Sequence, residues 1–408
     1  MKETVLKNKQ IVLGVCGGIA AYKSVELLRQ LVKHGARVRV IMTAAATRFV
    51  APLTFATLSG SPVYLDVLED TPDTTIRHID WAESAQAVVI APATANMVAK
   101  LANGIADDAL STFMLAVTCP VMICPSMNAD MFAHPATQRN LSRLEADDVQ
   151  IVSPGVGELA CKAVGPGRLP EPGEILDRLI CLLTPHDLEG KKVLVTAGPT
   201  REFIDPVRFV SNPSSGKMGY AIARAAENRG AKVTLITGPV AILPPFNVET
   251  VSVVTSDEMA EAVFARAGEA DVIIKVAAVS DYRPLVYEDR KVKKGEEDVS
   301  LCLTRTTDIL KTLGRCKPPG QVLVGFAAET HEMETYARKK TEEKGLDMIV
   351  ANPIGPADCG FCADTNRISL FFADGRCLHL DLMDKSAAAN RILDQVVDLV
   401  RKKTSPSF

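Results

Sequence analysis

The 408-residue chain lacks an excess of either charge: 46 Lys and Arg stand against 49 Asp and Glu, a formal net charge of −3. Duplex-binding surfaces draw their affinity from basic side chains that neutralise phosphates, so nucleic acid is not expected as a partner. Long apolar runs are also missing. The most hydrophobic window, Phe113 to Cys124, covers about 12 residues where a membrane-spanning helix needs about 20, and no membrane partner is expected. The ten cysteines have none of the dense, regular spacing of a disulfide framework. Lys2, Glu3, Lys7 and Lys9 break up any apolar leader, so the reading expects no signal peptide and a reducing, cytoplasmic location. Hydrophobic residues make up 47% and charged ones 23%, a balance that supplies sizeable cores and excludes disorder as the main state. At roughly 150 residues per domain the length gives two domains or three.

What is present is alternation. Ile11 to Val15 is a short apolar run, Gly17 and Gly18 follow, and helical periodicity runs from Ala20 to Lys33 until Gly35. Val38 to Met42, Ala87 to Ala91 and Val121 to Cys124 read as further strands. Thr184 to Lys192 is polar and carries Pro and Gly, which reads as a linker. The pattern then restarts with strands at Val193 to Thr196, Val233 to Thr237, Val272 to Val276 and Val322 to Phe326, and a helix from Met218 to Arg229. Arg367 to Phe372 and Cys377 to Leu382 read as a hairpin, and Ser386 to Arg401 as a closing helix. Strand, glycine turn, helix, strand predicts parallel sheets with helices on both faces. The expected fold class is α/β, with two tandem three-layer Rossmann-like domains at 1–188 and 189–408.

In the first half, Gly14-Val-Cys-Gly17-Gly18-Ile19 follows a strand and opens a helix, where free backbone amides can hold a phosphate. It is not G-x-G-x-x-G, and Ile41-Met42-Thr43 offers no ribose-binding acid after the second strand. A nicotinamide dinucleotide is therefore disfavoured, and with it a two-domain NAD(P) oxidoreductase. Ala93-Thr94-Ala-Asn96 places small and amide-bearing residues at a strand end, suited to the edge of a flat ring. His78 before Trp81, Asn128 in Pro125-Ser-Met-Asn-Ala-Asp-Met131, and Cys161 in a glycine-rich stretch carry groups able to do chemistry. Each has an ordinary reading too: a structural imidazole, a helix cap, an idle thiol.

Together these stretches resemble the homo-oligomeric flavin-containing cysteine decarboxylases, specifically the phosphopantothenoylcysteine decarboxylases. The resemblance implies a flavodoxin-like first domain, FMN held by Gly17, Gly18, Ile19, Thr43, Ala93, Thr94 and Asn96, and catalysis by His78, Asn128 and Cys161. In the implied reaction the substrate's thiol end is oxidised to a thioaldehyde, which eases loss of the neighbouring carboxylate. His78 serves as base or proton carrier, Asn128 orients the carboxylate, and Cys161 donates a proton as the enethiol is reduced. Ser126 stands where this family commonly has Ala, and Lys162 where Gly is commoner. Some relatives of the domain are inhibitory subunits, so the alternative is a non-catalytic flavin-binding regulatory protein; the joint presence of His78, Asn128 and Cys161 argues against it.

In the second half, Thr196-Ala-Gly-Pro-Thr200-Arg201 and the run from Asp205 through Arg208, Asn212, Pro213 and Gly216 to Lys217 are turns rich in Gly, Ser and Thr beside basic groups. By composition they form an anion site or a solvated set of charges. A P-loop is excluded, because Ser211 stands where its first Gly belongs and Met218 replaces its Ser or Thr. Asp281 and the lysines Lys291, Lys293 and Lys294 suit Mg²⁺ and a triphosphate, although lysines in such a run usually face water.

These stretches resemble the phosphopantothenate–cysteine ligases, the partner domain in bifunctional coenzyme A biosynthesis proteins. The resemblance implies that Lys275, Val276, Ala277, Asp281, Lys291, Thr307, Asp308, Ile309, Leu310, Phe326, Lys340 and Lys344 contact CTP, with Asp281 holding Mg²⁺. Asn212, with Arg208 in the same loop, would hold an acyl-cytidylate, and Lys291 would promote attack by cysteine. The implied substrates are 4′-phosphopantothenate, cysteine and CTP. The implied assembly is a homo-oligomer, trimeric through the first domain and dimeric through the second, up to a dodecamer. Pro213 replaces a His seen in many relatives. Cys359 and Cys362 lack a second pair at zinc spacing, and His331-Glu332 has Thr335 where a zincin needs its second His, so no zinc site is expected.

Overall fold

Strands filled almost continuously with Val, Ile, Leu and Ala need cover on both faces, and each half of the chain supplies it with helices. The computed structural model describes residues 5–68, 76–158, 164–293, 300–329, 333–353 and 363–404. Two units divide at Thr184 and Pro185.

The first unit runs β1 (Gln10–Val15), α1 (Ala21–Lys33), β2 (Arg37–Met42), α2 (Pro52–Ser59), α3 (Arg77–Ser84), β3 (Ala87–Ala93), α4 (Ala95–Asn103), α5 (Ala109–Leu115), β4 (Val121–Pro125), α6 (Ala129–Ala133), α7 (Pro135–Ala146), β5 (Gln150–Ile151), β6 (Gly155–Glu158), β7 (Val164–Arg168) and α8 (Pro172–Leu183). Its sheet is parallel, in the order β2-β1-β3-β4-β5. One face packs on α1, α2 and α8 through Leu27, Leu31, Phe55 and Ile175. The other packs on α3, α4, α5 and α7 through Trp81, Met97, Phe113 and Leu141. The order reverses between β1 and β3, the switch point where doubly wound sheets bind ligands.

The second unit runs β8 (Lys192–Ala197), β9 (Arg201–Phe203), β10 (Phe209–Ser211), α9 (Lys217–Asn228), β11 (Lys232–Thr237), β12 (Glu249–Ser252), α10 (Ser256–Ala267), β13 (Val272–Lys275), β14 (Tyr282–Pro284), β15 (Leu303–Arg305), α11 (Ile309–Cys316), β16 (Val322–Glu329), α12 (Met333–Glu343), β17 (Met348–Pro353), β18 (Thr365–Phe372), β19 (Cys377–Asp384) and α13 (Lys385–Thr404). The sheet order is β12-β11-β8-β13-β16-β17-β18-β19. It is parallel as far as β17, and the expected hairpin β18–β19 then adds antiparallel to its edge. Helices α9 and α13 cover one face, and α10, α11 and α12 the other. The switch point falls between β8 and β13.

The stretch read as a linker is not loose. Leu188 is buried in the core under α9 and α13, and its amide donates to the Arg229 carbonyl. Asp187 takes Arg229 in a fork, Nε to Oδ1 at 2.7 Å and Nη2 to Oδ2 at 2.5 Å, while Nη1 reaches Asp394 on α13 at 2.8 Å. The Arg229 bonds hold the Asp187 carboxyl below its usual range against the opposing effect of burial. A carboxyl with a lowered folded pKa stabilises above its unfolded pKa, and that contribution fades as pH falls through the folded value. Asp187→Asn should therefore cost the second unit about 2 kcal/mol at neutral pH, read as faster amide exchange in α9 and α13 with the first sheet unchanged. The difference from wild type should close in acid; equal exchange at neutral pH would contradict it.

Candidate functional site

The first unit brings two turns together at its switch point. After β1, Cys16 bonds to Thr94 beyond β3, and burial pushes its thiol up to about 12, so it stays protonated. Among the described residues no backbone acceptor meets the amides of Gly18, Ile19 and Ala20 at the start of α1, and a Cβ on Gly18 would stand in open space. Free amides at a helix start over open space fit the phosphate of a nucleotide cofactor. Thr43 is spent on the Ala46 amide and Thr94 on that of Met97, so both shape turns, while Asn96 is exposed.

Asn128 caps α6, its Oδ1 accepting from the amides of Asp130 at 2.8 Å and Met131 at 3.3 Å. The cap reading is therefore correct, and it also fixes the amide so that Nδ2 is the end turned away from the helix. The hairpin β6–β7 docks beside it. Ser126 donates its amide to the Ala93 carbonyl and its hydroxyl to that of Gly167 (3.2 Å), and the Met127 amide also donates to Gly167. Gly167 has φ +143°, and a Cβ there would lie 2.1 Å from the Met127 carbonyl oxygen; only glycine permits this approach. Ser126, noted from sequence only as a departure, thus ties the Ala93 turn, the Asn128 loop and the hairpin base. Cys161 and Lys162, which sit between β6 and β7 in sequence, lie outside the described residues. His78 stands half-buried in the first turn of α3, and no hydrogen bond among the described residues joins it to Asn128.

The second unit has a cavity of about 760 Å³ at the C-terminal edge of its sheet. It gathers Lys275, Val276, Ala277, Asp281, Thr307, Asp308, Leu310, Phe326, Lys340, Lys344 and Asn212, residues scattered along the sequence. Ile309 turns instead into the core under α10, and Arg208 and Lys291 are not among the residues lining the cavity. Two buried threonines, Thr196 near the end of β8 and Thr200 in the turn after it, hold the floor. Thr196 Oγ1 accepts from the amides of Val276 and Ala277 at 3.1 and 3.0 Å, and Thr200 Oγ1 from that of Ser280 at 3.0 Å. Asn212 donates Nδ2 to the carbonyls of Ala278 and Val279, both at 3.2 Å, which leaves its carbonyl for a ligand.

Arg208 and the Val292 backbone next to Lys291 are joined by Asp205, which sequence reading passed over. Its buried carboxylate accepts from the amides of Val207, Arg208 and Val292, at 2.8, 2.8 and 3.2 Å, and from Arg208 Nε at 3.0 Å. Arg208 also donates to the Val292 carbonyl. Burial alone would raise the Asp205 carboxyl; these donors more than offset it and leave it below its usual range. A carboxylate between two acceptor-poor loops was visible in the sequence only as one more acid, because its partner at Val292 is remote along the chain.

The cavity's electrostatics come from crowded ammonium groups. Burial, then the nearby Lys344, lowers the Lys275 ammonium to about 8, with Lys340 adding to the effect and Asp281 and Asp308 opposing it. Asp308 is itself held below the usual carboxylate range against its burial, by the Lys311 amide that it caps and by Lys344 at 2.9 Å. Close approach sets that pair: a Cβ on Gly314 of α11 would lie 1.7 Å from the Lys344 carbonyl oxygen. Among the described residues no group of three His, Cys, Asp or Glu could hold a metal. Of the two exposed carboxylates in the cavity Asp308 is paired with Lys344, and Asp281 suits a divalent cation that arrives on a triphosphate rather than a resident ion. Cys359, Cys362, His331 and Glu332 lie outside the described residues. No helix among those described is long and apolar enough to cross a membrane.

Residues 1–184 match the family model described as "Flavoprotein", and residues 188–400 the one described as "DNA/pantothenate metabolism flavoprotein C-terminal domain". The chain is 48% identical over 402 residues to the coenzyme A biosynthesis bifunctional protein CoaBC of Bacillus subtilis (strain 168), spanning 98% of this chain and 99% of that protein. It is 42% identical over 396 residues to the protein of that name from Escherichia coli (strain K12), spanning 96% and 97%. A solved C-terminal domain of a coenzyme A biosynthesis bifunctional protein CoaBC matches at 46% identity over 53% of this chain and 99% of its own, with a TM-score of 0.46. Nothing in these relatives favours a non-catalytic flavin-binding protein. The chain belongs to the family of bifunctional coenzyme A biosynthesis proteins, enzymes that pair a phosphopantothenate–cysteine ligase with a phosphopantothenoylcysteine decarboxylase.

Proposed function

We propose that the second unit uses CTP to activate the carboxylate of 4′-phosphopantothenate and joins it to cysteine, and that the first unit decarboxylates the product to 4′-phosphopantetheine with FMN. The proposed setting is a cytoplasmic homo-oligomer. The observation that carries the reading is the convergence of Lys275, Asp281, Asp308, Phe326, Lys340 and Lys344 on one cavity at a switch point.

In the ligase, Lys275, Lys340 and Lys344 neutralise the triphosphate, and Asp281 takes the Mg²⁺ that the nucleotide carries. The substrate carboxylate attacks the α-phosphorus and pyrophosphate leaves. Asn212 holds the resulting acyl-cytidylate through its free carbonyl, and cysteine's amine displaces CMP with Lys291 promoting the attack. No protein nucleophile is needed, because positioning and charge carry such transfers. In the decarboxylase, the amides before α1 hold the cofactor's phosphate, and the turn at Ala93, Thr94 and Asn96 edges its ring. FMN supplies hydride acceptance and return there. Asn128 offers Nδ2 to the substrate carboxylate, His78 moves a proton, and Cys161 gives the final proton.

Two outcomes test the ligase site. Asp205→Ala frees both Arg208 and the Lys291 segment, so ligase kcat/KM should fall roughly 100-fold while decarboxylation of supplied phosphopantothenoylcysteine is unchanged; unaltered ligation would remove Arg208 and Lys291 from the mechanism. Because Lys275 carries its charge only below about 8, CTP should bind up to ~10-fold more weakly at about pH 9 than at about pH 7. Binding near the midpoint should take up a proton, seen by calorimetry in buffers of different ionisation enthalpy. Lys275→Met should bind weakly at both values with no uptake, whereas a pH-independent wild type would refute the assignment.

A further inference from the structure

The edge hairpin of the second unit carries a group of reactive side chains that the ligase cavity does not use. In the pairing of β18 with β19, Ser369 stands opposite His379 and Phe371 opposite Cys377. Residues two apart on a strand share a face, so these four side chains meet on one side of the hairpin. Their contacts follow that register. Cys377 Sγ lies 3.3 Å from His379 Nε2, and His379 Nδ1 lies 2.8 Å from Ser369 Oγ. The buried Phe371 ring meets the imidazole edge to face, with centroids 6.2 Å apart and planes at 84°.

The imidazole tautomer is assigned from this network. With Nδ1–H donating to Ser369 Oγ, Nε2 turns its lone pair to the thiol and accepts from S–H. The other tautomer would aim an N–H at sulfur, a weak acceptor. Cys377 is thus placed as a nucleophile, His379 as its base and Ser369 as the group that orients the base, the arrangement that activates thiols and hydroxyls. Ser369 is 9% exposed, whereas Cys377 and His379 are exposed, so the orienting end is fixed and the reacting end is open to solvent. Partial burial and then Glu334 on α12 hold the thiol above its ordinary value, with Arg338 of the same helix opposing them. The resting group is therefore the neutral thiol, and reaction needs a base at the sulfur, where His379 stands. A metal fits less well. Cys377 and His379 are only two donors, and among the described residues no third His, Cys, Asp or Glu joins them.

We propose that Cys377, with His379 as its general base, is a thiol–disulfide exchange site for small disulfides. Sγ attacks one sulfur of the disulfide as its proton passes to Nε2. The new S–S bond joins Cys377 to one half of the small molecule, the old S–S bond breaks, and the departing thiolate takes the proton back from the imidazolium. The small disulfide is itself the oxidant, and one free thiol leaves for each mixed disulfide formed. Cystine, the oxidised form of cysteine, belongs to this class.

The full chain carries its own comparison, since Cys302 and Cys316 are also exposed thiols and neither has an imidazole partner among the described residues. Reduced wild type is mixed with cystine at neutral pH and quenched with acid, and the mixed disulfide at each cysteine is followed by peptide mass spectrometry. Cys377 should react at least ~10-fold faster than Cys302 or Cys316. His379→Asn keeps an amide nitrogen for Ser369 but cannot take a proton; it should bring Cys377 down to the level of the other two and leave their rates as they were. Equal rates at the three cysteines in wild type, a comparison that needs no variant to fold, would overturn the proposal. So would a Cys377 that reacts as fast in His379→Asn as in wild type.

Discussion

The ligase half depends on two buried hydroxyls. Thr196 and Thr200 receive the amides of Val276, Ala277 and Ser280, amides that the sheet cannot satisfy because the chain leaves β13 there. An unpaired buried amide is expensive, so the turn has one conformation, and everything on the cavity floor takes its place from it. Asn212 braces the next two carbonyls, and Thr306 donates to that of Ser280 at 2.6 Å, which brings in the strand before Thr307 and Asp308. The site is thus built backward from a parallel-sheet switch point, whose diverging crossovers leave an open crevice.

Charge then divides the labour inside that crevice. Three ammonium groups, one of them brought to about 8 and one paired with Asp308, crowd the end of the cavity near α12. In the first unit the backbone does comparable work: the amides before α1 face open space, the Asn128 side chain is fixed as the cap of α6, and Ser126 with Gly167 sets where the β6–β7 hairpin begins.

Much of the fold was legible because its signals are local. Glycine after Val15 and glycine before Lys217 mark the turns, and Ile- and Val-rich runs can only be strands covered on both faces. The hairpin around Ala373 to Arg376 was equally plain, from its turn composition between two apolar runs. The short strands at β5, β9, β10, β14 and β15 left little trace, since a few residues give no periodicity. The Thr184 to Lys192 stretch misled for a physical reason: within it Asp187 meets Arg229 and Leu188 enters the core, and both sets of partners lie far along the sequence. Asp205 and Ser126 were missed for the same cause, since a buried polar group declares itself only when its remote partners are in place. Residues read by resemblance fared unevenly in geometry. Most of the nucleotide set converges on one cavity, whereas Ile309 goes to the core and Lys291 reaches the scheme only through Asp205.

The central claim is that one chain carries both steps, ligation on the second unit and decarboxylation on the first. Its most direct test is the product mass after the purified chain is incubated with 4′-phosphopantothenate, cysteine, CTP and Mg²⁺. The account predicts phosphopantetheine, lighter than the cysteine adduct by one CO₂. Arrest at the adduct, or no new mass at all, would contradict it.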